Sequence, residues 1–341
     1  MKFDFVIGNP PYQETKEGTS DKPVYNEFMD AANRLASGVE LITPARFLFN
    51  AGKTPKDWNQ KMLSDKHFKV QYYEKNSTVI FPNTDIKGGV VITYRDSSRE
   101  FGPIGTFTVY DELNSILHKV LHNEGFIHFN QLIYSPESYR LSKNLHEEIP
   151  DASSHLSKGH LHDLTTNIFD RLDFVFFENC PQKSGPYIQI LGRKNNQRTA
   201  MWVQEKYIDP HPNLMKYKVF LPKSNGSGEF GEPLSSPLIG IPRVGHTQSF
   251  ISIGAFESEA QADSALKYIK TKFTRTMLSS LKVTQDNKKA AWANVPLQDF
   301  TPNSDIDWSG SVAEIDRQLY RKYNLSDDEI AFIETKVKEM I

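Results

Sequence analysis

Cysteine is almost missing from this sequence: Cys180 is the sole one in 341 residues. A single thiol excludes an intrachain disulfide and a cysteine-rich zinc site. Long hydrophobic runs are missing too. No stretch approaches the roughly 18 apolar residues of a transmembrane helix, so no membrane partner is expected. The charged–apolar–small pattern of a signal peptide is absent as well, because Phe3-Asp4-Phe5-Val6-Ile7-Gly8 reads as a strand at once. These absences suit a cytoplasmic protein. A composition of 38% hydrophobic and 12% aromatic residues is globular rather than disordered. The length leads us to expect two domains.

The net charge of −2 hides segregation. Residues 1–100 carry a net +1, 101–192 a net −5, 193–298 a net +7 and 299–341 a net −5. A basic segment inside an acidic chain is what a DNA-facing lobe would look like, since Lys and Arg contacts to phosphate supply most non-specific affinity. Basic residues solvating one face are the plainer reading.

The most informative residues follow the first strand: Asn9-Pro10-Pro11-Tyr12. Two prolines fix φ and remove backbone donors. The residue before each is pushed to an extended conformation. The resulting stiff turn presents the Asn9 side-chain oxygen and the Pro10 carbonyl as acceptors. A planar amine flipped out of a base stack would donate both its hydrogens there, and Tyr12 offers a ring face for stacking. In isolation the tetrapeptide is equally a strand-terminating turn. The strand before it favours a site, because ligands of open α/β sheets bind at the carboxyl ends of strands.

The rest of the first 100 residues reads as alternating strand and helix: a polar loop from Gln13 to Asp21, a helix from about Val24 to Leu35, a strand at 39–43, a helical stretch from Pro55 to Leu63, and strands at 68–73 and 89–94. The Gln13–Asp21 loop reads as plain surface or as a closure over a base. A helix is expected near Asp111–Leu121. Residues 101–180 otherwise read as linker and insertion. His146, His155, His160 and His162 lie there without ligand spacing, and no metal is expected.

Beyond residue 186 we expect short strands at Tyr187–Leu191, Lys218–Pro222, Leu238–Ile241 and Phe250–Ile253, with polar loops between. Arg193, Lys194, Asn195, Asn196, Gln197 and Arg198 form one loop, and Lys223 opens another. Arg, Asn and Gln are the side chains that read base edges bidentately, although loops are polar in any case. A helix from about Glu257 to Leu281 carries Lys270, Lys272 and Arg275. Lys282, Lys288 and Lys289 follow it. These read as phosphate contacts. Helices at about 311–322 and 326–339 read as packing, the second with a Ser326/Glu329 capping box.

Asn9-Pro10-Pro11-Tyr12 after that strand, the run Gly38-Val39-Glu40-Leu41-Ile42-Thr43-Pro44-Ala45-Arg46-Phe47, and the stretch from Thr78 to Tyr94 resemble, in this order, the gamma-class adenine-specific DNA methyltransferases of type II restriction–modification systems. The chain looks closest to those with a large C-terminal specificity domain, including fused type IIG enzymes. The likeness continues weakly through Val295–Phe300 and Leu319–Ile330. The resemblance implies an α/β fold: a partial Rossmann-like methyltransferase sheet over residues 1–105, followed by an α+β target-recognition domain over 106–341. It implies that Asn9, Pro10, Pro11 and Tyr12 are catalytic, holding the exocyclic amine of a flipped adenine for in-line methylation. It gives Phe81 the second stacking wall, where the residues alone read as ordinary core. The implied cofactor is S-adenosylmethionine and the implied partner is double-stranded DNA.

The sequence also departs from that pattern. The family binds its cofactor on a Gly-rich turn several strands before the catalytic motif. Here neither Gly88-Gly89 nor Gly226–Gly231 has the strand-to-helix setting such a turn needs. The expectation is therefore the C-terminal half of a catalytic sheet plus a specificity domain, incomplete alone. An N-terminal methyltransferase half or a restriction subunit would be its partner, and the edge at the catalytic strand would seek one. A split enzyme, an internal start and a truncated gene are all compatible with this. A non-catalytic DNA-specificity module, a degenerate remnant, and a methyltransferase for a protein glutamine or RNA are the alternative readings.

Overall fold

The computed structural model describes residues 3–14, 22–182, 185–282 and 284–340. Along the first third run β1 (Phe3–Gly8), β2 (Gln13–Glu14), β3 (Lys22–Pro23), α1 (Tyr25–Leu35), β4 (Ala36–Pro44), α2 (Lys56–Ser64), β5 (Phe68–Glu74), β6 (Val90–Asp96) and α3 (Asp111–Leu121). Then follow β7 (Ile133–Tyr134), α4 (Lys143–Glu148), α5 (Ile168–Arg171), β8 (Tyr187–Lys194), β9 (Gln197–Gln204), β10 (Tyr217–Pro222), β11 (Leu238–Gly240), β12 (Val244–His246) and β13 (Phe250–Phe256). Helices α6 (Glu259–Lys270), α7 (Lys272–Ser279), α8 (Val312–Lys322) and α9 (Asp327–Lys336) close the order. The fold is mixed α/β with several sheets, divided into compact units Met1–His118 and Lys119–Ile341.

The first unit holds a sheet of order β1-β4-β6-β5. β1 lies parallel to β4, and β6 runs antiparallel to both β4 and β5. The strands β1, β4 and β5 therefore share a direction and end on one side. Residues Tyr25, Met29 and Ala32, spaced on one face of α1, are buried against it. Phe47, Trp58, Met62 and Phe68 complete this core, with the Phe47 and Trp58 rings edge to face at 5.3 Å. Each such buried side chain contributes about 1.5–3 kcal/mol. β1 is the open edge: Phe3, Phe5 and Ile7 are 50%, 47% and 73% exposed.

The polar loop expected at Gln13–Asp21 is bounded by a pairing: Gln13 opposes Pro23 and Glu14 opposes Lys22. Residues 15–21 of that reading lie outside the described residues.

In the second unit, sheet β12-β8-β9 backs onto the segment from Tyr139 to Phe176. Leu145, Ile168, Phe169 and Phe176 are buried there with Ile188, Ile190 and Val203. Over this stretch the residues are packed structure rather than linker, because scattered apolar side chains converge in three dimensions. A second sheet has the order β11-β10-β13-β7. The single helix expected over Glu257–Leu281 is two. Thr271 is extended (φ −57°, ψ 148°) and its Oγ1 accepts from the Thr274 N–H, starting α7 afresh. The Ser326/Glu329 capping box is present at α9, and an unforeseen one, Ser311/Glu314, starts α8.

Candidate active site and nucleic-acid interface

Asn9-Pro10-Pro11-Tyr12 leaves the carboxyl end of β1 just where its parallel neighbour β4 ends at Pro44. The Tyr12 carbonyl accepts from the Val24 N–H at 3.2 Å, which ties the turn to the start of α1. A cavity of about 820 Å³ opens there. Asn9, Pro10, Pro11 and Tyr12 form one side, Pro44 ends β4 with Arg46 in the 3-10 turn just after it, and Thr84 to Lys87 come from the connection into β6. Parallel strand ends leave unpaired backbone and room between loops, which is why ligands settle there. Sequence reasoning singled out the first side and missed Arg46, Lys53, Asp85 and Lys87. The signal available was the Pro44-Ala45-Arg46 step at the second strand end.

The Tyr12 hydroxyl is buried and has no hydrogen-bond partner among the described residues. Burial pushes the phenol up to about 12, so it stays neutral and the ring serves as an apolar face. Tyr12 and Phe81 meet with centroids 6.4 Å apart and planes at 70°. This is an edge-to-face contact. Two walls stacking on opposite faces of one base need parallel rings, so Phe81 would have to turn. Phe81 is half-buried and does not line the cavity.

Among the described residues, neither Gly-rich turn forms a cradle for S-adenosylmethionine. The backbone N–H groups of Ser227 and Gly228 are taken by the Glu232 carboxylate at 2.8 and 3.1 Å. A Cβ on Gly88 would meet Arg46 Cγ at 2.8 Å, and Gly89 is followed by strand β6 rather than by the start of a helix. Among the described residues, no group of three or more His, Cys, Asp or Glu could hold a metal ion.

The basic residues divide by environment. Arg193, Asn195, Asn196 and Arg198 are exposed at the tip of a β8–β9 hairpin rather than in a loop. Asn195 and Asn196 have φ of 51° and 61°, a two-residue turn of the type that suits the twist of paired strands. Lys194 bonds Glu178 at 3.0 Å. Lys223, Lys288 and Lys289 are exposed, and the 285–289 stretch is drawn to Lys223, whose carbonyl accepts from the Asn287 N–H. Lys270 is half-buried, and Lys272 pairs with Glu334 at 2.5 Å.

Arg275 and Lys282 are placed differently, at 1% and 5% exposure. Arg275 donates to the carbonyls of Lys270, Gly231 and Lys338. Lys282 donates to the Glu232 carboxylate and to the Asn225 and Thr284 carbonyls. With their donors committed inside the unit, these two leave the set of phosphate contacts expected from sequence. A helix rich in basic residues does not reveal which of them point inward.

Residues 1–81 match the family model described as Eco57I restriction-modification methylase. An uncharacterized adenine-specific methylase of Mycoplasma pneumoniae is 32% identical over 95 residues, covering 26% of this chain and 22% of that protein. Among solved structures, the type IIG restriction endonuclease BpuSI aligns with a TM-score of 0.32 at 10% identity, over 93% of this chain and 48% of that one. The type IIL restriction-modification enzyme MmeI, in complex with DNA, aligns with a TM-score of 0.29 at 10% identity, over 98% and 56%. The sequence matches relate the N-terminal part of the chain to adenine-specific methylases of restriction–modification systems, at the level of the general family. The chain spans about a fifth of the curated relative's length. Among the described residues no helix is long and apolar enough to cross a membrane.

Proposed function

We propose that this chain is the target-base and DNA-recognition part of an adenine-specific DNA methyltransferase in a restriction–modification system. The observation that carries the reading is the Asn9–Tyr12 turn opening into a polar cavity at the carboxyl ends of two parallel strands. A flipped adenine would donate its two amine hydrogens to Asn9 Oδ1 and the Pro10 carbonyl, with Tyr12 beneath its ring and Phe81 swinging to the other face. Those two bonds draw the nitrogen towards a tetrahedral shape and free its lone pair from the ring. Catalysis of this kind is positioning and electrostatic preorganisation. It needs no covalent nucleophile.

S-adenosylmethionine supplies the methyl group in the related class, and among the described residues neither Gly-rich turn forms a cradle for it. The complete enzyme on this reading includes a second α/β segment beside the open edge of β1, where Phe3, Phe5 and Ile7 are exposed. DNA is held by basic and amide side chains of the second unit: Arg193, Lys194, Asn195, Asn196, Arg198, Lys223, Lys270, Lys272, Lys288 and Lys289. A second reading, a DNA-specificity module without catalysis, is favoured by the same missing cradle.

Calorimetric titration with S-adenosylmethionine separates the two. Binding by the chain together with its genomic neighbours supports the enzyme. DNA binding with no cofactor affinity in any combination supports the module. In a methyl-transfer assay of the assembled system, Asn9→Ala is expected to abolish transfer to duplex DNA and to leave DNA binding within twofold. Undiminished turnover by that variant would remove the site assignment.

A further inference from the structure

The cavity beside Tyr12 is larger than a base alone requires, and among its described lining residues is a guanidinium, Arg46. Adenine is neutral and flat, and its recognition uses acceptors, donors and a ring face. Yet among the described residues Arg46, Lys53 and Lys87 line the cavity together with Asp85. A volume of about 820 Å³ lies near the upper part of the roughly 300–1,000 Å³ range of sites that take a whole small molecule.

Arg46 is built into the cavity wall. Its side chain passes between two glycines of separate loops. A Cβ on Gly52 would lie 3.3 Å from Arg46 Cβ and Cδ, and one on Gly88 only 2.8 Å from Cγ. Both glycines have positive φ, +91° and +90°, so other residues would be strained there as well as crowded. Arg46 Nε donates to the Lys87 carbonyl. The stem is thus clasped and the plane of the guanidinium fixed, while the paired Nη groups remain as the donors an anion would meet. Its positive charge also reaches the buried Tyr25 phenol, opposing the rise that burial causes there.

We propose that Arg46 binds a phosphate of the nucleotide whose base enters the Tyr12 pocket, so that the cavity is a nucleotide site rather than a base site. This rests on the reading of the cavity as the target-base pocket. A guanidinium held in one plane presents parallel N–H bonds to two phosphate oxygens. The immobilisation that binding would otherwise cost is already met by the two loops. Phosphate capture beside the base would hold the flipped state against restacking. A mere strut between the loops would use the stem and Nε alone, and would make no distinction between a nucleoside and its phosphate.

The test is calorimetric titration of the full chain with deoxyadenosine, deoxyadenosine 5′-monophosphate and deoxyadenosine 3′-monophosphate. One monophosphate is expected to bind about tenfold or more tighter than the nucleoside, the better isomer identifying which phosphate Arg46 meets. Arg46→Ala should bring that ratio to about one while leaving nucleoside affinity within twofold. Arg46→Lys keeps a charge without the fork and should retain only a small part of the preference, which keeps the test open if the alanine variant folds poorly. Equal affinity for all three probes in the wild type, or a ratio unchanged by Arg46→Ala, overturns the proposal while the base pocket stands. Nucleoside affinity that is absent, or indifferent to Tyr12→Ala, overturns the base-pocket reading and this proposal with it.

Discussion

Arg193 and Arg198 face each other directly across the β8–β9 hairpin, one residue inside its turn. Like charges in that position cost stability, about 0.2–1 kcal/mol. Arg198 is anchored nonetheless: it donates to the Ser235 and Ser236 carbonyls at 3.1 and 2.6 Å, and its guanidinium lies 5.7 Å from the Phe250 ring centroid. Desolvation first, and the Arg193 charge second, hold it below the usual arginine range. Arg193 donates to the Asn196 carbonyl and so braces the turn. On the proposed reading a DNA phosphate is the anion that would offset the two charges at this tip.

The first prediction follows. Arg193→Ala should leave stability unchanged or slightly raised, because the repulsion goes. It should weaken binding to sonicated duplex DNA and lower the slope of log affinity against log salt by about one. A filter-binding salt titration measures the slope. An unchanged slope would take the hairpin tip out of the DNA interface.

Much of the first unit was legible from sequence, and the reasons are local. The helix expected over about Val24–Leu35 is α1, although Phe28 and Leu35 on it are exposed and Tyr25 and Met29 carry the core contact. Asn9-Pro10-Pro11-Tyr12 could be placed because prolines dictate their own backbone. The cavity's far wall could not be, since Arg46 and Lys87 are brought together by strand pairing between β4 and β6. The β8–β9 turn was hidden because Asn-Asn between basic residues looks like any polar loop. Only paired left-handed φ values distinguish it. Thr271 was overlooked because a capping threonine inside a helical pattern reads as one more helical residue.

Arg275 and Lys282 yield a second prediction, opposite in kind. Arg275→Met leaves the carbonyls of Lys270, Gly231 and Lys338 without their donor and the buried Asp316 carboxyl without a nearby charge. Removing one member of such a buried set costs about 3–5 kcal/mol. Urea unfolding should show that loss, while any folded fraction keeps the wild-type salt slope for DNA. A stable variant with a reduced slope would return Arg275 to the phosphate contacts.

The third prediction concerns acid. His246 is fully buried, and burial holds its imidazole down at about 3. Its Nδ1 lies 3.0 Å from the Thr247 carbonyl, which can only accept, so Nδ1 carries the proton. Nε2 then accepts from the Ser252 hydroxyl at 3.2 Å. The Ser252 oxygen in turn receives the Asn213 amide at 3.0 Å. A second proton on the ring would leave the Ser252 hydroxyl hydrogen without its acceptor, and the charges of His211 and Lys218 oppose it further. In the unfolded chain the same histidine titrates near its ordinary 6.5. Between the two values the unfolded state holds a proton that the folded state lacks, so stability is full above about 6.5 and falls as pH drops towards 3. The slope from this one group is about 1.4 kcal/mol per pH unit within that window. His246→Gln cannot take up the proton. Its unfolding free energy should lie below that of the wild type at pH 7.5 and decline less steeply towards pH 4.5 by about that amount. Parallel pH profiles for the two proteins in urea unfolding would mean that His246 is not the group through which acid loosens the second unit.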